Sequence, residues 1–218
     1  MRRRAAHFMC LTAVLLMSGM QVAGAADAPT RVWNFSVLLD DKPIGYHRFT
    51  LSEHGPEREL TTTARFNVKL LFVTVYRYVH DATEHWQGNC LTSLKAGTTD
   101  GGALTEVDAR ADGDAMAVSA TGHARTRYPG CVMSFAYWNP EILHQSRLLN
   151  SQTGEYEVIK VEDLGSQSIT VRGSPVTATH YRINGPKHPI DLWYSAEREW
   201  LALESLIDGG RRLRYHLE

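Results

Sequence analysis

The sequence predicts an all-β protein: an antiparallel meander that forms a strongly curved sheet, a half-barrel or a barrel. Three observations support this prediction. Apolar side chains recur at every second position, which places them on one face of a strand. Turn residues interrupt this pattern about every 8–12 residues, and no long segment has the period of a helix. The composition, 43% hydrophobic and 22% charged residues, is that of a globular protein and excludes disordered and multispan membrane classes.

The first 25 of the 218 residues are predicted to be a signal peptide that is cleaved during export. Arg2-Arg3-Arg4 precedes an apolar stretch from Phe8 to Val22, which ends at the small-residue site Ala23-Gly24-Ala25. A retained anchor is the alternative, but an anchor usually needs roughly 20 apolar residues. We therefore expect residues 26–218 to form a single β-rich domain in the periplasm, with no transmembrane segment after cleavage.

The start of this domain predicts three consecutive antiparallel strands. Apolar residues alternate from Trp33 to Leu39, and the turn Asp40–Pro43 leads directly into a second strand at Ile44–Leu51. Two strands joined by so short a turn must be antiparallel neighbours. The third strand, Leu60–Leu70, is the clearest, because one set of alternate positions is mainly apolar and the other is polar.

The rest of the chain predicts further strands. Aromatic and branched residues continue from Val73 to Trp86, and strand-like segments follow at Leu91–Ala96, Leu104–Ala111, Ala115–Ala120, Tyr156–Val161, Ile169–Arg172, Val176–Ile183, Ile190–Tyr194, Trp200–Ile207 and Leu213–Leu217. The predicted connections include Gly165-Ser166 and Asp208-Gly209-Gly210. A meander of about ten or more strands must curl, close or stack, since a flat open sheet exposes its edges.

One segment, Tyr128–Leu143, departs from the simple alternation. Asn139 can cap a short helical turn near residues 139–144, and Pro140 can occupy its first position. The apolar residues upstream occupy both alternating sets, Val132, Ala136 and Trp138 against Met133, Phe135 and Tyr137. We expect this stretch to be covered on both faces and to lie across or inside the curved sheet. It either fills the core or forms the wall or plug of an apolar cavity, with four candidate ligand-binding residues, Met133, Phe135, Tyr137 and Trp138.

Cys90 and Cys131 are predicted to form a disulfide. Cys10 is removed with the signal peptide, so these two remain as a pair in a compartment that oxidises thiols. A bridge would close a loop of about 40 residues, which the chain-entropy model values at about 4 kcal/mol. Two separate buried thiols or one catalytic cysteine are the alternatives, and neither residue stands in a cysteine-hydrolase motif.

No catalytic set, metal site or cofactor is predicted. Ser134 lacks the flanking glycines of a nucleophile elbow, and the glycines lie at hairpin tips rather than in a phosphate loop. His80 and His85 point to opposite faces of a strand, and His80 with Glu84 supplies too few metal ligands, so we interpret them as polar-face or loop residues. Cleavage lowers the net charge from −1 to −4, which argues against a nucleic-acid partner.

Five segments carry a recognisable pattern: Leu38–His47, Cys131–Pro140, Leu149–Glu155, Asp191–Ser195 and the hairpin at Asp208-Gly209-Gly210. In these segments the chain resembles a family of exported bacterial proteins known as domain of unknown function 6134. The resemblance covers most of the chain after the signal peptide. It implies a sheet similar to the open half-barrels of lipoprotein carriers, which hold acyl chains on a concave apolar face. It implies no activity and no catalytic residue.

Three function hypotheses follow, in this order of preference. The first is a non-enzymatic periplasmic binding module whose curved sheet holds an apolar small molecule or lipid-like ligand. The second is a structural or adaptor protein of the cell envelope that acts through contacts with an envelope protein, and it predicts a filled interior. The third is an enzyme, which ranks last because no catalytic set is visible.

Overall fold

The first part of the fold is a meander of eight antiparallel strands. In the computed structural model, which describes residues 29–70 and 73–218, each strand pairs with the one before it. The strands are β1 (Thr30–Leu39), β2 (Lys42–His54), β3 (Glu57–Leu70), β4 (Val73–Gln87), β5 (Cys90–Asp100), β6 (Ala103–Asp112), β7 (Ala115–Ala120) and β8 (Thr126–Pro129). The predicted signal peptide, residues 1–25, lies outside the described residues.

The last part of the chain is a second meander that joins the same sheet. Its strands are β11 (Lys160–Val171), β12 (Ser174–Asn184), β13 (Ile190–Tyr194), β14 (Trp200–Ile207) and β15 (Arg211–Leu217). Strand β15 pairs with β1, with Phe35 opposite Leu217, so both meanders form one sheet of thirteen strands. Its end strands, β11 and β8, pair with only one neighbour each. The predicted antiparallel all-β fold is confirmed, and the described sheet is open rather than a closed barrel.

Between the meanders, residues 130–150 form what we call the crossing segment, which runs over the concave face of the sheet. It contains a 3₁₀ turn at Pro140–His144, and the Asn139 side chain accepts a hydrogen bond from the Glu141 amide at the start of this turn. The predicted helical turn near residues 139–144 is therefore confirmed. The segment ends with β9 (Arg147–Leu149), which pairs with β10 (Tyr156–Val158) in a separate two-stranded sheet.

A disulfide between Cys90 and Cys131 joins the start of β5 to the start of the crossing segment, as predicted. The Cα atoms of the two residues are 5.0 Å apart. The Leu91 amide also donates a hydrogen bond to the Val132 carbonyl, at 2.9 Å. The crossing segment is thus held against the sheet by covalent and hydrogen bonds at this end.

The core lies between the concave face and the crossing segment. The alternate residues Trp33, Phe35 and Val37 of β1 are buried, which confirms the predicted inward set of this strand. The crossing segment buries residues from both of its alternating sets, Val132, Met133, Ala136 and Trp138. It therefore fills much of the space that the curved sheet encloses, and it is covered on both faces as its sequence predicts.

Some local predictions are wrong. Strands β8 and β9 were not predicted, and Gly165-Ser166 is not a connection but part of β11. The register of β11 shifts between Asp163 and Ser166, where the chain has one residue more than its partner strand. The Asp163 carboxylate accepts a hydrogen bond from the Gly165 amide at 2.8 Å, so a turn-like hydrogen bond forms inside a strand as a β-bulge.

The predicted strand Tyr156–Val161 is also divided in the structure. Strand β10 ends at Val158 and belongs to the small sheet, whereas β11 begins at Lys160 in the large one. Ile159, between them, is buried, and its amide donates to the Ser146 carbonyl at 2.9 Å. The chain therefore passes from one sheet to the other at a residue that packs into the core.

Candidate ligand-binding cleft

A cleft of about 130 Å³ separates part of the concave face from the crossing segment, and we call it the interior cleft. Its floor comes from β2, β3 and β4 and includes Phe49, Leu60, Thr62 and Ala82. Its opposite wall is formed by Phe135, Tyr137 and Trp138. Its rim is formed by Asn150, Ser151, Gln152 and Pro186, which are all at least partly exposed, so the cleft opens to solvent on this side.

Three of the four residues predicted to bind a ligand line the interior cleft. Phe135, Tyr137 and Trp138 face it, whereas Met133, only 1% exposed, packs in the core and is not part of the lining. The Tyr194 hydroxyl donates a hydrogen bond to the Tyr137 carbonyl at 2.7 Å, which holds the wall against β13. These contacts give the wall a fixed position relative to the sheet.

Trp138 is held by aromatic and charged neighbours. Its ring meets that of Trp86 edge to face, with 5.5 Å between the ring centroids. The Arg58 guanidinium lies over the ring, 4.7 Å from its centroid, in a cation–π contact. At this end of the cleft the indole is therefore packed against two strands of the sheet, β3 and β4.

Two histidines line the interior cleft beside the aromatic residues. His47 of β2 and His80 of β4 lie opposite the same small residue of β3, Ala64, and their ring centroids are 6.4 Å apart. His47 Nδ1 lies 3.2 Å from the Tyr215 hydroxyl, and His80 Nδ1 lies 2.8 Å from Thr98 Oγ1. Burial lowers the pKa of His47 well below its usual value and that of His80 to about 4, so both rings are neutral at pH 7.

Glu84 of β4 lies at the same cleft and is only 5% exposed. Ser134 Oγ of the crossing segment donates to its carboxylate oxygens at 3.0 and 3.1 Å, and Trp86 Nε1 donates at 3.1 Å. Burial raises the pKa of Glu84 to about 7, although both donated hydrogen bonds act to lower it. Glu84 thus connects the sheet to the crossing segment through one buried hydrogen-bonded group.

The polar groups in and beside the cleft have separate hydrogen-bond partners. Ser134 bonds to Glu84, His80 to Thr98 and His47 to Tyr215, so each group has a different partner. A nucleophile with its base needs these groups in one chain of hydrogen bonds. Among the described residues, no group of three or more His, Cys, Asp or Glu side chains is arranged to hold a metal ion.

Two residues that line the interior cleft each have one ring nitrogen without a partner. Trp138 Nε1 and His47 Nε2 are shielded from solvent, and neither makes a hydrogen bond within the part of the chain that the structure describes. A buried polar group without a partner costs about 1–3 kcal/mol, so such groups are uncommon in native proteins.

The interpretation of His80 and Glu84 as polar-face or loop residues is wrong, since both are buried on the concave face. Their positions in the alternating pattern of β4 could have shown that both residues face inward. The apolar residues Tyr78, Ala82 and Trp86 alternate in the same set as His80 and Glu84, so this whole set points inward. His85, in the opposite set, is exposed, as its odd spacing from His80 predicts.

The interior cleft and the fold can be compared with known proteins. No curated protein matches this sequence. The fold is similar to a crystal structure from Brucella abortus, titled a beta-barrel-like protein of the domain of unknown function DUF1849, with a TM-score of 0.64. The two share 10% sequence identity, and the match covers 88% of this chain and 96% of that one. At this identity the similarity shows the fold alone.

The resemblance to domain of unknown function 6134 is tested by comparing the sequence with a model of that family. The model of DUF6134, a domain of unknown function, matches residues 35–218. This range includes all strands of both meanders except the start of β1, together with the crossing segment and every residue that lines the interior cleft. The predicted resemblance is confirmed, and the chain belongs to the DUF6134 family.

Proposed function

We propose that this protein is an exported, non-enzymatic binding protein whose interior cleft holds an apolar, lipid-like ligand. The observation that supports this function most directly is the wall of the cleft. Phe135, Tyr137 and Trp138 stand together opposite a floor that includes the apolar residues Phe49, Leu60 and Ala82 as well as polar ones, and the cleft opens to solvent at the rim. A concave aromatic site with a few buried polar groups is the usual form of a small-molecule site.

The size of the cleft limits what it encloses. At about 130 Å³ it is smaller than the roughly 300–1,000 Å³ of a typical ligand pocket and close to the ~150 Å³ cavity that accepts benzene. A long acyl chain does not fit inside it. The enclosed part of the ligand is therefore a ring or a short branched chain, and the rest of a larger molecule would extend past the rim.

The experiment that tests this function is the recovery of a bound molecule. Protein purified from the periplasm is extracted with organic solvent and the extract is analysed by mass spectrometry. Ala82→Leu places a larger side chain in the floor of the cleft and is expected to reduce the extracted ligand at least tenfold. Ala178→Leu, at a buried alanine outside the cleft lining, is the control and should leave the ligand in place.

Two outcomes of this experiment contradict the proposal. The first is an extract of the wild-type protein that contains no apolar molecule. The second is equal recovery from Ala82→Leu and wild type, with both proteins folded by circular dichroism. Export is tested on the same preparation, since the intact mass of the periplasmic protein should lack the first 25 residues.

A further inference from the structure

The β3–β4 hairpin differs from the other hairpins of the sheet in the residues that connect its strands. Leu70 pairs with Val73 at the end of the ladder, and the sequence between them is Leu71-Phe72. The other two-residue connections of the described sheet contain glycine, asparagine or aspartate, which tight turns favour: Asp40-Asp41, Gly55-Pro56, Gly88-Asn89, Gly101-Gly102, Gly113-Asp114 and Arg172-Gly173. Turn chemistry therefore does not explain the leucine and phenylalanine at this connection.

The adjoining strand residues, Asn67–Leu70 and Val73–Arg77, form what we call the hairpin end. The pairing of β3 with β2 stops at Phe66, and the pairing of β4 with β5 stops at Tyr78. Beyond these points β3 and β4 pair as strands only with each other. The hairpin end is thus separated from both neighbouring strands, and an open groove lies between it and the start of β2.

The hairpin end exposes apolar side chains on both of its flanks. Val75 is 58% exposed and lines the groove on the flank that faces β2. Tyr76 is 37% exposed and lies on the flank that faces β5, where its hydroxyl donates a hydrogen bond to the Asp100 carboxylate at 2.6 Å. Exposed apolar residues that lie close together mark a surface for a partner protein or a membrane. A lipid bilayer covers both flanks of a narrow hairpin at once, whereas a partner protein would have to enclose it.

The charges of the hairpin end are all positive. Residues 60–80 include no aspartate or glutamate, and their three basic residues are Arg65, Lys69 and Arg77. Arg65 is paired with Asp81 at 2.8 Å, so Lys69 and Arg77 remain as the charges of the hairpin end. Basic residues beside exposed apolar ones favour binding to a membrane with anionic headgroups.

We propose that the hairpin end docks on a lipid bilayer with anionic headgroups. Its apolar residues enter the interface, and Lys69 and Arg77 meet the headgroups. Tyr76 suits this position, because tyrosine is enriched where apolar and aqueous phases meet. The proposal concerns a surface outside the interior cleft, so it does not depend on whether the cleft binds a ligand.

Vesicle flotation tests this proposal. The folded protein that lacks its signal peptide is used, because a signal peptide is itself apolar. It is mixed with vesicles of phosphatidylcholine alone or with vesicles of phosphatidylcholine and phosphatidylglycerol in a ratio of about two to one. The protein should float with the anionic vesicles and less with the neutral ones, since lysine and arginine are attracted to anionic lipid.

A matched pair of variants assigns the contact to the hairpin end. Val75→Asp should lower the fraction bound to anionic vesicles at least tenfold, because the added carboxylate is unfavourable in the hydrocarbon and is repelled by the headgroups. Val158→Asp is the control, since Val158 of β10 is a valine of similar exposure, 61%, outside the hairpin end. It should bind as the wild type does. The wild-type comparison of the two kinds of vesicle stands even if Val75→Asp does not fold.

Three results would contradict the proposal. If the wild type floats with neither kind of vesicle, or equally with both, the hairpin end does not dock on an anionic bilayer. If folded Val75→Asp binds as the wild type does, the membrane contact lies elsewhere on the surface. If vesicles do not bind but a photo-crosslinking amino acid in place of Val75 captures a protein in cells, the hairpin end is a surface for a protein partner.

Discussion

Glu84 makes the stability of the folded chain depend on pH. Burial raises its pKa to about 7, compared with 4.5 for an unperturbed glutamate, so the folded state holds a proton that the unfolded chain loses. The stabilisation from this uptake is fully present below pH 4.5 and is lost as the pH rises through 7. The difference between the two pKa values corresponds to a stabilisation of about 3 kcal/mol.

The histidines of the cleft have the opposite effect. The pKa of His80 is lowered by burial from 6.5 to about 4, so the unfolded chain binds more protons in this range. Stability from His80 therefore falls as the pH drops from 6.5 to 4, and His47 acts in the same direction. The two effects oppose each other in the wild-type profile, and a variant is needed to isolate Glu84.

Glu84→Gln keeps the shape of the side chain and its ability to accept hydrogen bonds but removes the titration. We expect its free energy of unfolding, relative to wild type, to increase by about 2–3 kcal/mol between pH 4.5 and pH 8. Urea denaturation at several pH values measures this difference. Glu57→Gln, at an exposed glutamate of β3, should follow the wild type throughout. Parallel curves for Glu84→Gln and wild type would show that folding does not change the pKa of Glu84.

At the scale of elements, the contact between β2 and β3 depends on Gly45. A Cβ atom at this position would lie 1.8 Å from the Arg65 carbonyl oxygen, a backbone atom of the neighbouring strand. Because the clash is with backbone, it can be relieved only by moving the strands apart, and overpacking of this kind costs about 1–3 kcal/mol. This pairing positions His47, two residues further along β2.

Gly45→Ala should therefore lower the free energy of unfolding by about 2–3 kcal/mol. The control is Gly97→Ala in β5, where an added Cβ meets nothing within 4 Å. It should change stability by no more than about 1 kcal/mol, because a strand position usually accepts alanine at least as well as glycine. Equal stabilities of the two variants in urea denaturation would mean that β2 and β3 separate at no cost at Gly45.

The strands that could be predicted are those marked by alternating apolar residues within the strand and by turn residues at its ends. Alternation and turn residues identify β1–β7 and β12–β15, because each of these strands has one face on the core. Strand β8 has only four residues and buries none of them, so no alternation marks it. The bulge at Gly165 contains the same residue types as a turn, and only its pairing with β12 distinguishes the two.

The candidate site was predictable in part for the same reason. Phe135, Tyr137 and Trp138 stand out as an aromatic run in the sequence. The contact between Ser134 and Glu84 joins residues 50 positions apart, and it depends on how the crossing segment is placed across the sheet. Local patterns hold no information on that placement. The alternation along β4 could have identified His80 and Glu84 as inward-facing, but the contact of Glu84 with Ser134 became visible only in three dimensions.

In the whole molecule, two meanders share one core. Strand β1 lies between β15 and β2, so the two ends of the described chain meet in the middle of the sheet. The crossing segment contacts the first meander through Ser134 and Glu84 and the second through Tyr137 and Tyr194. The interior cleft lies between these attachments, and its shape therefore depends on both arms of the sheet.

Among the described residues, no helix is long and apolar enough to cross a membrane.

An open sheet leaves two edges, and they differ in how they avoid pairing with another chain. Strand β8 is only four residues long and ends in Pro129, which has no amide hydrogen to donate. Strand β11 has twelve residues and lacks this protection. Its bulge between Asp163 and Ser166 instead interrupts the ladder, and a bulge twists an edge away from the flat form that a second strand needs.

Deletion of Gly165 removes the extra residue of this bulge and should make β11 a regular edge. We expect the variant to self-associate in sedimentation velocity at concentrations where the wild-type protein has a smaller mass, because its edge can then pair with a second copy. Adding Leu164→Lys to the deletion places a charge on the edge and should restore the wild-type mass, since a lysine there opposes strand pairing. If the deletion alone leaves the mass unchanged and the protein folded, the bulge does not protect the edge. Association that persists in the double variant would instead show that the contact lies elsewhere on the surface.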